Sequence, residues 1–413
     1  MQYGLIGEKL SHSFSKEIHE SLADYTYELC EIEREDLTNF LKNREFCAIN
    51  VTMPYKKEVI PHLDEISSAA SELQAVNCIV NKNGRLYGYN TDYFGMRDLI
   101  LRSGIDISDK KVLILGTGGT SRTSALVCKD LGVKEIIKVS RTAKDNAITY
   151  EEAQKKHFDA DIIINTTPSG MYPDCDNSPI DLDKFENLCA VFDAIYNPLR
   201  TKLVIDAKAK GLYAEGGLYM LVSQAVHAVE LFKNIKFDDQ KIDEIYNKIL
   251  KSKENIVLIG MPSSGKTTVG KALADLFNRE LVDLDDEIVK KIGCEIADFF
   301  KTHAEKDFRD IEAHITKDVS IKNQIIIATG GGCVLRNENV KALRQNGRLY
   351  FLDRDLANLT PTDSRPLATK KEALERLYNE RYGIYTSACD CRIDGNLTAD
   401  EEANLIREEF LRK

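Results

Sequence analysis

Asn255-Ile256-Val257-Leu258-Ile259-Gly260-Met261-Pro262-Ser263-Ser264-Gly265-Lys266-Thr267 is the stretch on which the reading of this chain turns. Ile256–Ile259 is a short, unbroken apolar run, as expected of a strand buried on both faces. It runs straight into a loop of the form G-x-x-x-x-G-K-T and then into a helical pattern, the context that gives such a loop meaning. A backbone of this kind wraps a β-phosphate, Lys266 reaches the β/γ oxygens, and the Thr267 hydroxyl can ligate magnesium. Ser263, Ser264, Gly265, Lys266, Thr267 and Thr268 are therefore the candidate nucleoside-triphosphate contacts.

The residues just before it are different in kind. Lys233–Glu254 is polar and charged, with one amphipathic piece at Ile242–Leu250. It reads as a terminal helix plus linker, so the apolar restart at Asn255 marks a domain boundary. Upstream of the linker lies a second glycine loop. Lys111-Val112-Leu113-Ile114-Leu115 is a buried-type strand leading into Gly116-Thr117-Gly118-Gly119-Thr120 and a helix. Amides at such a helix start can hold a pyrophosphate. The next strand ends Val139-Ser140-Arg141-Thr142, with no acid before Asp145. A site for NAD usually places an acid there, whereas a guanidinium suits a 2′-phosphate, so the loop is read for NADP. Further buried strands at Asp161–Asn165 and Cys189–Asp193, and a helix at Leu218–Phe232, complete the pattern of a doubly wound parallel sheet.

The first hundred residues alternate strand-like and helix-like stretches. Strands are expected at Gln2–Gly7, Tyr25–Ile32 and Phe46–Met53, and helices at Ser11–Ala23, Arg34–Lys42, Lys56–Ile66 and Thr91–Ser103. Asn77–Asn90 reads as a hairpin turning at Asn83-Gly84.

Composition sets outer limits. The chain has 413 residues, 43% hydrophobic and 30% charged, which suits two to four packed domains and excludes a disordered tail or a fibrous rod. A net charge of −10 speaks against a nucleic-acid scaffold. No apolar run is long enough to span a membrane, and Met1–Lys9 lacks the pattern of a secretory leader, so a cytoplasmic protein is expected. The ten cysteines include no Cys-x-x-Cys pair; Cys389 and Cys391 have no partner pair or nearby histidines and read as free thiols.

Residues 1–235 resemble shikimate dehydrogenases. The resemblance rests on Ser11-His12-Ser13, Asn50-Val51-Thr52-Met53-Pro54-Tyr55-Lys56, Ala75-Val76-Asn77, Asn90-Thr91-Asp92, and Gly217-Leu218 followed by Met220-Leu221-Val222 and Gln224-Ala225. It implies that Ser11 and Ser13 contact a substrate carboxylate. Thr52, Asn77 and Gln224 would contact ring hydroxyls, with Asn50 and Tyr196 close by. Lys56 and Asp92 would form the catalytic pair, Asp92 also standing where a helix cap would be. Asn165, Thr166 and Gly217 would join the dinucleotide set. Two prolines usual in the family, near Glu8-Lys9 and at Lys16, are missing.

Residues 254–413 resemble shikimate kinases, through the phosphate loop, Asp283-Leu284-Asp285, Phe308-Arg309-Asp310-Ile311-Glu312, Gly330-Gly331-Gly332, Arg365-Pro366-Leu367 and Arg381 with Tyr385. The resemblance implies Asp283 near magnesium and Asp285 on the reacting hydroxyl. Arg309, Arg381 and Gly330–Gly332 would surround the substrate, and Arg365 would act as a lid arginine on the transferring phosphate. The loop departs from its family at Pro262-Ser263-Ser264. Asn358 stands where an adenine-side arginine is often found.

Together these resemblances imply an α/β chain. An N-terminal α/β substrate domain (1–104) precedes a Rossmann NADP-binding domain (105–235) whose closing helix 218–232 packs near the first. A linker or terminal helix (236–254) leads to a P-loop domain of nucleoside-monophosphate-kinase type (255–413). The expected ligands are NADP(H), ATP, Mg2+, 3-dehydroshikimate and shikimate. Two other readings stand beside this one: quinate or mixed quinate/shikimate oxidation by the first half, and a nucleotide-sensing scaffold with one inactive half. Oligomeric state is not legible.

Overall fold

The computed structural model describes residues 1–10, 14–144, 146–238, 240–361 and 370–412. The chain divides into two compact units. One contains Met1–Asn197 and Leu203–Ile249, the other Pro198–Lys202 and Leu250–Lys413.

The first unit holds two six-stranded sheets. Its first sheet is built from β1 (Tyr3–Gly7), β2 (Tyr27–Glu31), β3 (Ala48–Val51), β4 (Glu65–Ile66), β5 (Cys78–Lys82) and β6 (Arg85–Tyr89), in the order β2-β1-β3-β5-β6-β4. β1, β2 and β3 run parallel, and β5 and β6 form the expected antiparallel hairpin. Asn83 and Gly84, both at positive φ, make its turn.

The second sheet comprises β7 (Lys111–Leu115), β8 (Glu135–Ser140), β9 (Ala147–Thr149), β10 (Ile162–Asn165), β11 (Ala190–Asp193) and β12 (Tyr213–Glu215), ordered β12-β11-β10-β7-β8-β9. Every pairing in it is parallel. The order reverses between β7 and β10, so the loops leaving these two strands part to opposite sides and open a crevice at their carboxyl ends. β10 and β11 are buried along their whole length, which explains their unbroken apolar sequence.

One expectation fails here. Lys56–Ile66 is not a helix but a series of turns, a 3-10 turn at Ile60–His62 and the short β4. Pro61 interrupts any helical hydrogen-bond ladder. The Lys56 carbonyl is taken instead by the Val76 amide at 2.7 Å. The supposed linker is also more ordered than its composition suggested. Lys241–Lys253 is one helix whose buried face is Ile245, Tyr246 and Ile249. The Tyr246 hydroxyl donates to Glu215, and the Arg102 guanidinium lies against the Tyr219 and Tyr246 rings at 4.3 and 4.5 Å.

The second unit has one five-stranded, all-parallel sheet: β13 (Asn255–Ile259), β14 (Leu281–Asp283), β15 (Ile326–Ala328), β16 (Gly347–Asp353) and β17 (Cys391–Asp394), ordered β14-β15-β13-β16-β17. Near the amino end of β13 sits Glu254, 1% exposed, accepting from Arg200 at 2.7 Å and Arg348 at 2.9 Å. A buried carboxylate is tolerated when paired in this way. On one face of the sheet the helix Ala399–Arg412 packs on the helix Lys266–Phe277, with Phe410 edge-on to Phe277.

Glu402 is buried in that packing and one of its oxygens, Oε2, has no hydrogen-bond partner among the described residues. Burial pushes its carboxyl up to about 7; Arg354 opposes this and Asp394 adds to it. An acid with a raised folded pKa favours the protonated native state. The contribution of this group to stability is therefore full below the ordinary glutamate value and is lost as pH rises from there towards 7. Glu402→Gln removes that penalty. In urea unfolding at pH 8 the second unit should gain about 1–2 kcal/mol, after allowance for solvent screening. The gain should vanish near pH 4.5.

Candidate functional site

The first unit contains a cleft of about 390 Å³ at the carboxyl ends of β1 and β3. Asn50, Thr52, Lys56, Asn77, Asp92, Tyr196, Gly217 and Gln224 all line it. Residues scattered over more than 170 positions of sequence thus meet in one place. Lys56 donates to Asp92 at 2.5 Å. The other oxygen of Asp92 accepts from the Asn77 amide at 2.9 Å. Asp92 is the first residue of the helix Asp92–Leu101, and Thr91 occupies the cap position without a side-chain capping bond. The carboxylate is thus committed to Lys56 and Asn77 rather than to capping.

Two positioning residues escaped the sequence reading. Thr91 is fully buried; its amide donates to Asn77 Oδ1 at 2.7 Å, and its hydroxyl bonds Gln224 at 3.2 Å. Tyr27, also fully buried, donates to Asn50 Oδ1 at 2.8 Å, while the Asn50 amide donates to the Asn77 carbonyl. Thr91 sat inside a quoted segment, but its inward direction was not readable. Tyr27 carried no signal at all. Lys9 and Ser15 also line the cleft. Burial pushes the Tyr196 phenol up, so it remains a neutral hydrogen-bonding group. Ser11 and Ser13 lie outside the described residues.

A separate pocket of about 940 Å³ opens at the first glycine loop. Gly116, Thr117, Gly118, Ser140, Arg141, Thr142 and Thr166 line it, together with Tyr150. Gly116 has φ +109°, and a Cβ there would lie 2.8 Å from Thr166 Oγ1, so only glycine fits. Gly118 precedes the helix Gly119–Asp130 and offers no side-chain cap. The amides of the first turn, Gly119 and Thr120 included, are left for an anion. Arg141 follows the end of β8, where a 2′-phosphate would be met.

Two residues expected with this set lie elsewhere. Asn165 is fully buried, donating to Asp193 at 3.0 Å and accepting from the Thr167 amide and hydroxyl. It shapes the loop that carries Thr166. Gly217 lines the substrate-sized cleft, where a Cβ would strike the Ala194 carbonyl at 2.2 Å.

In the second unit a pocket of about 300 Å³ gathers Thr267, Asp283, Asp285, Arg309, Gly330, Gly331, Gly332 and Arg381. Lys266 is buried, its ammonium donating to the Gly260 and Met261 carbonyls. Thr267 donates to Asp283 Oδ2 at 2.6 Å, while Asp283 Oδ1 accepts the Asp285 amide. A hydroxyl and a carboxylate converging beside a phosphate loop form an oxygen donor set that fits magnesium, which needs few protein ligands when phosphates supply others. A Cβ at any of these three glycines would force a neighbour to move. A Cβ would fall 2.7 Å from Asp285 at Gly330, 2.8 Å from Pro262 at Gly331 and 2.3 Å from the Arg309 guanidinium at Gly332. Arg381 and Tyr385 both donate to the Gly331 carbonyl.

Glu312, 1% exposed, is the residue missed here. It holds Arg309 at 2.8 Å, and Oε1 has no hydrogen-bond partner among the described residues. Burial pushes its carboxyl up against the pull of Arg309. Ser263, where the sequence departs from glycine, keeps a left-handed backbone at φ +65°. A non-glycine residue there costs about 1 kcal/mol. Ser264 is buried beneath the loop, Gly265 has φ +92°, and Thr268 is exposed one residue past Thr267. Arg365 lies outside the described residues.

Comparison with known proteins finds relatives of both units. The shikimate dehydrogenase (NADP(+)) of Clostridium beijerinckii is 38% identical over 262 residues, covering 59% of this chain and 96% of the relative. The chain belongs to the shikimate dehydrogenase family. The family model for the shikimate dehydrogenase substrate binding domain matches residues 5–79. Shikimate dehydrogenase 1 from Peptoclostridium difficile, a solved structure, is 38% identical at a TM-score of 0.55, covering 60% of this chain and 98% of that one. The Thermus thermophilus shikimate 5-dehydrogenase, solved with NADP(H) and shikimate, is 30% identical at a TM-score of 0.54, with 60% and 99% covered. Residues 262–410 match the shikimate kinase model, so this shikimate dehydrogenase chain also carries a shikimate kinase domain.

If Asn165 is structural, its loss is a stability defect. Asn165→Ala takes one donor from the buried Asp193 carboxylate, which keeps the Ile195 amide, and removes the acceptor of the Thr167 amide. The urea transition of the first unit should fall by about 2–4 kcal/mol. Unchanged stability with weaker NADP+ binding would instead return Asn165 to the cofactor set.

Proposed function

We propose that the chain performs two consecutive reactions: NADPH-dependent reduction of 3-dehydroshikimate to shikimate in the first unit, and ATP-dependent phosphorylation of shikimate at its 3-hydroxyl in the second. The observation that carries this is that each unit holds its own small-substrate cleft and its own nucleotide-type glycine loop.

NADPH, when bound, supplies the hydride. The chain supplies the rest. Reduction of a ketone leaves a developing alkoxide that needs a proton, and the Lys56–Asp92 pair stands in the cleft as donor and orienting carboxylate. Asn77 fixes the far oxygen of Asp92, so the pair is oriented before substrate arrives. Asn50, Thr52 and Gln224 offer hydroxyl and amide groups to a polyhydroxy ring. Tyr196 adds a phenol.

In the second unit Arg309 and Arg381, which line the pocket, would hold a carboxylate by charge-assisted hydrogen bonds. That contact sets which hydroxyl faces the phosphate loop. Asp285 is placed to accept the proton of that hydroxyl. Thr267 and Asp283 would hold magnesium, which neutralises phosphate charge when bound. Lys266 leaves the Gly260 and Met261 carbonyls to meet the phosphates.

Coupled assays on the purified chain test both halves. Lys56→Ala and Asp92→Asn should each slow NADPH oxidation with 3-dehydroshikimate by about 10²–10⁴-fold, leaving ADP release from added shikimate unchanged. Gly332→Ala displaces the Arg309 guanidinium and should do the reverse, raising KM for shikimate in the kinase assay about tenfold or more while NADPH oxidation is unaffected. Oxidation that proceeds at full rate in Lys56→Ala would overturn the assigned pair.

A further inference from the structure

β16 lies directly beside β13 in the sheet, with Phe351 in register with Ile259. The chain leaving the carboxyl end of β16 must therefore pass the phosphate loop that leaves β13. Contact there is close: a Cβ on Gly260 would sit 2.9 Å from the Leu352 carbonyl, and one on Gly265 would sit 4.0 Å from Nη1 of Arg354. Arg354 is half-buried. Its Nε donates to the Asn358 carbonyl at 3.2 Å, which fixes the direction of the side chain. No carboxylate among the described residues lies within ion-pair distance of it, although it feels the charge of Glu402 behind it. Asn358 itself is uncharged, and its amide is spent on Asn396 at 2.8 Å.

A guanidinium held at the rim of a phosphate loop, with no carboxylate within ion-pair distance among the described residues, is available to an anion. A planar fork of donors matches phosphate oxygens well. We propose that Arg354 is a nucleotide-binding residue of the second unit, pairing with the non-transferred phosphates of ATP on the Gly265 side of the loop. This rests on the kinase reading above and deepens it. Gly265 precedes Lys266, so the loop here wraps the β-phosphate rather than the transferring group. Arg354 would hold ATP and ADP alike. Such uniform binding sets KM without changing the chemical step.

The test uses the full chain. ADP binding is measured by calorimetry in the parent, Arg354→Ala and Arg354→Lys, with ATP kinetics alongside. The kcat at saturating ATP and shikimate serves as the control for folding of the second unit, and NADPH oxidation as that for the first. Arg354→Ala should weaken ADP about tenfold and raise KM for ATP by a similar factor. The kcat and the KM for shikimate should stay within about twofold. Arg354→Lys should fall between, keeping the charge but not the fork. ADP affinity of the parent should fall more steeply with added KCl than that of Arg354→Ala, because a phosphate ion pair is screened. Equal ADP affinity in parent and Arg354→Ala would overturn the inference while leaving the kinase reading intact. So would a lower kcat at unchanged KM, or parallel salt dependence in the two proteins. A parent that binds no ADP would remove the kinase reading and the inference with it.

Discussion

A buried parallel strand that must hand its chain to a helix has little room to turn, and that constraint shapes both nucleotide loops of this protein. After β7 the turn is taken by Gly116 at φ +109°, where any side chain would collide with Thr166. After β13 it is taken by Gly260 at φ +153° and Gly265 at φ +92°. Glycine permits these conformations at no steric cost. A helix that starts directly after such a turn offers N–H groups that its own hydrogen-bond ladder does not use, which is what a phosphate requires. The neighbouring strands then deliver side chains to the same edge: Thr166 from β10 in one sheet, Arg354 from β16 in the other.

The two small-substrate clefts solve a different problem, that of holding charged groups still. In the first, Asn77 is central. One amide side chain contacts Asp92 and both the backbone and hydroxyl of Thr91, tying the start of the Asp92–Leu101 helix to the start of β5. Lys56 then meets a carboxylate that is already oriented. In the second, the backbone does the holding. Arg381 and Tyr385 converge on one carbonyl, that of Gly331. Arg309 packs so closely over Gly332 that a Cβ there would push the guanidinium aside. Buried Glu312 anchors its other side. Fixed donors of this kind lose little freedom on binding, and the affinity of the site gains accordingly.

Much of this was legible in the residues. The apolar runs of β7, β10 and β13 are short, continuous and bounded by glycine or polar residues, so buried parallel strands were the only comfortable reading. Asn83-Gly84 announced its hairpin, because both positions need positive φ. The two glycine loops were read for phosphates from their strand–loop–helix context, and Arg141, read for a 2′-phosphate, lines the pocket that opens at the first of them. Where local sequence misled, a tertiary contact was responsible. Lys56–Ile66 has helical spacing, yet Pro61 and the bond from Val76 to the Lys56 carbonyl hold it as turns around β4.

What sequence by itself determined was local: most of the strands and helices, the Asn83-Gly84 hairpin, and the two glycine loops that follow buried strands. Residue type and spacing settle these because they depend on backbone freedom and periodicity within a dozen positions. What only the tertiary structure decided was direction. Asn165 turned inward to Asp193 instead of outward to a cofactor. Tyr27 and Thr91 reached across the fold to fix Asn50 and Asn77. Arg354 came to the phosphate loop because β16 is the spatial neighbour of β13 although residues 260–346 separate the two strands in sequence. Strand order in a parallel sheet is set by crossover packing, which no local pattern records.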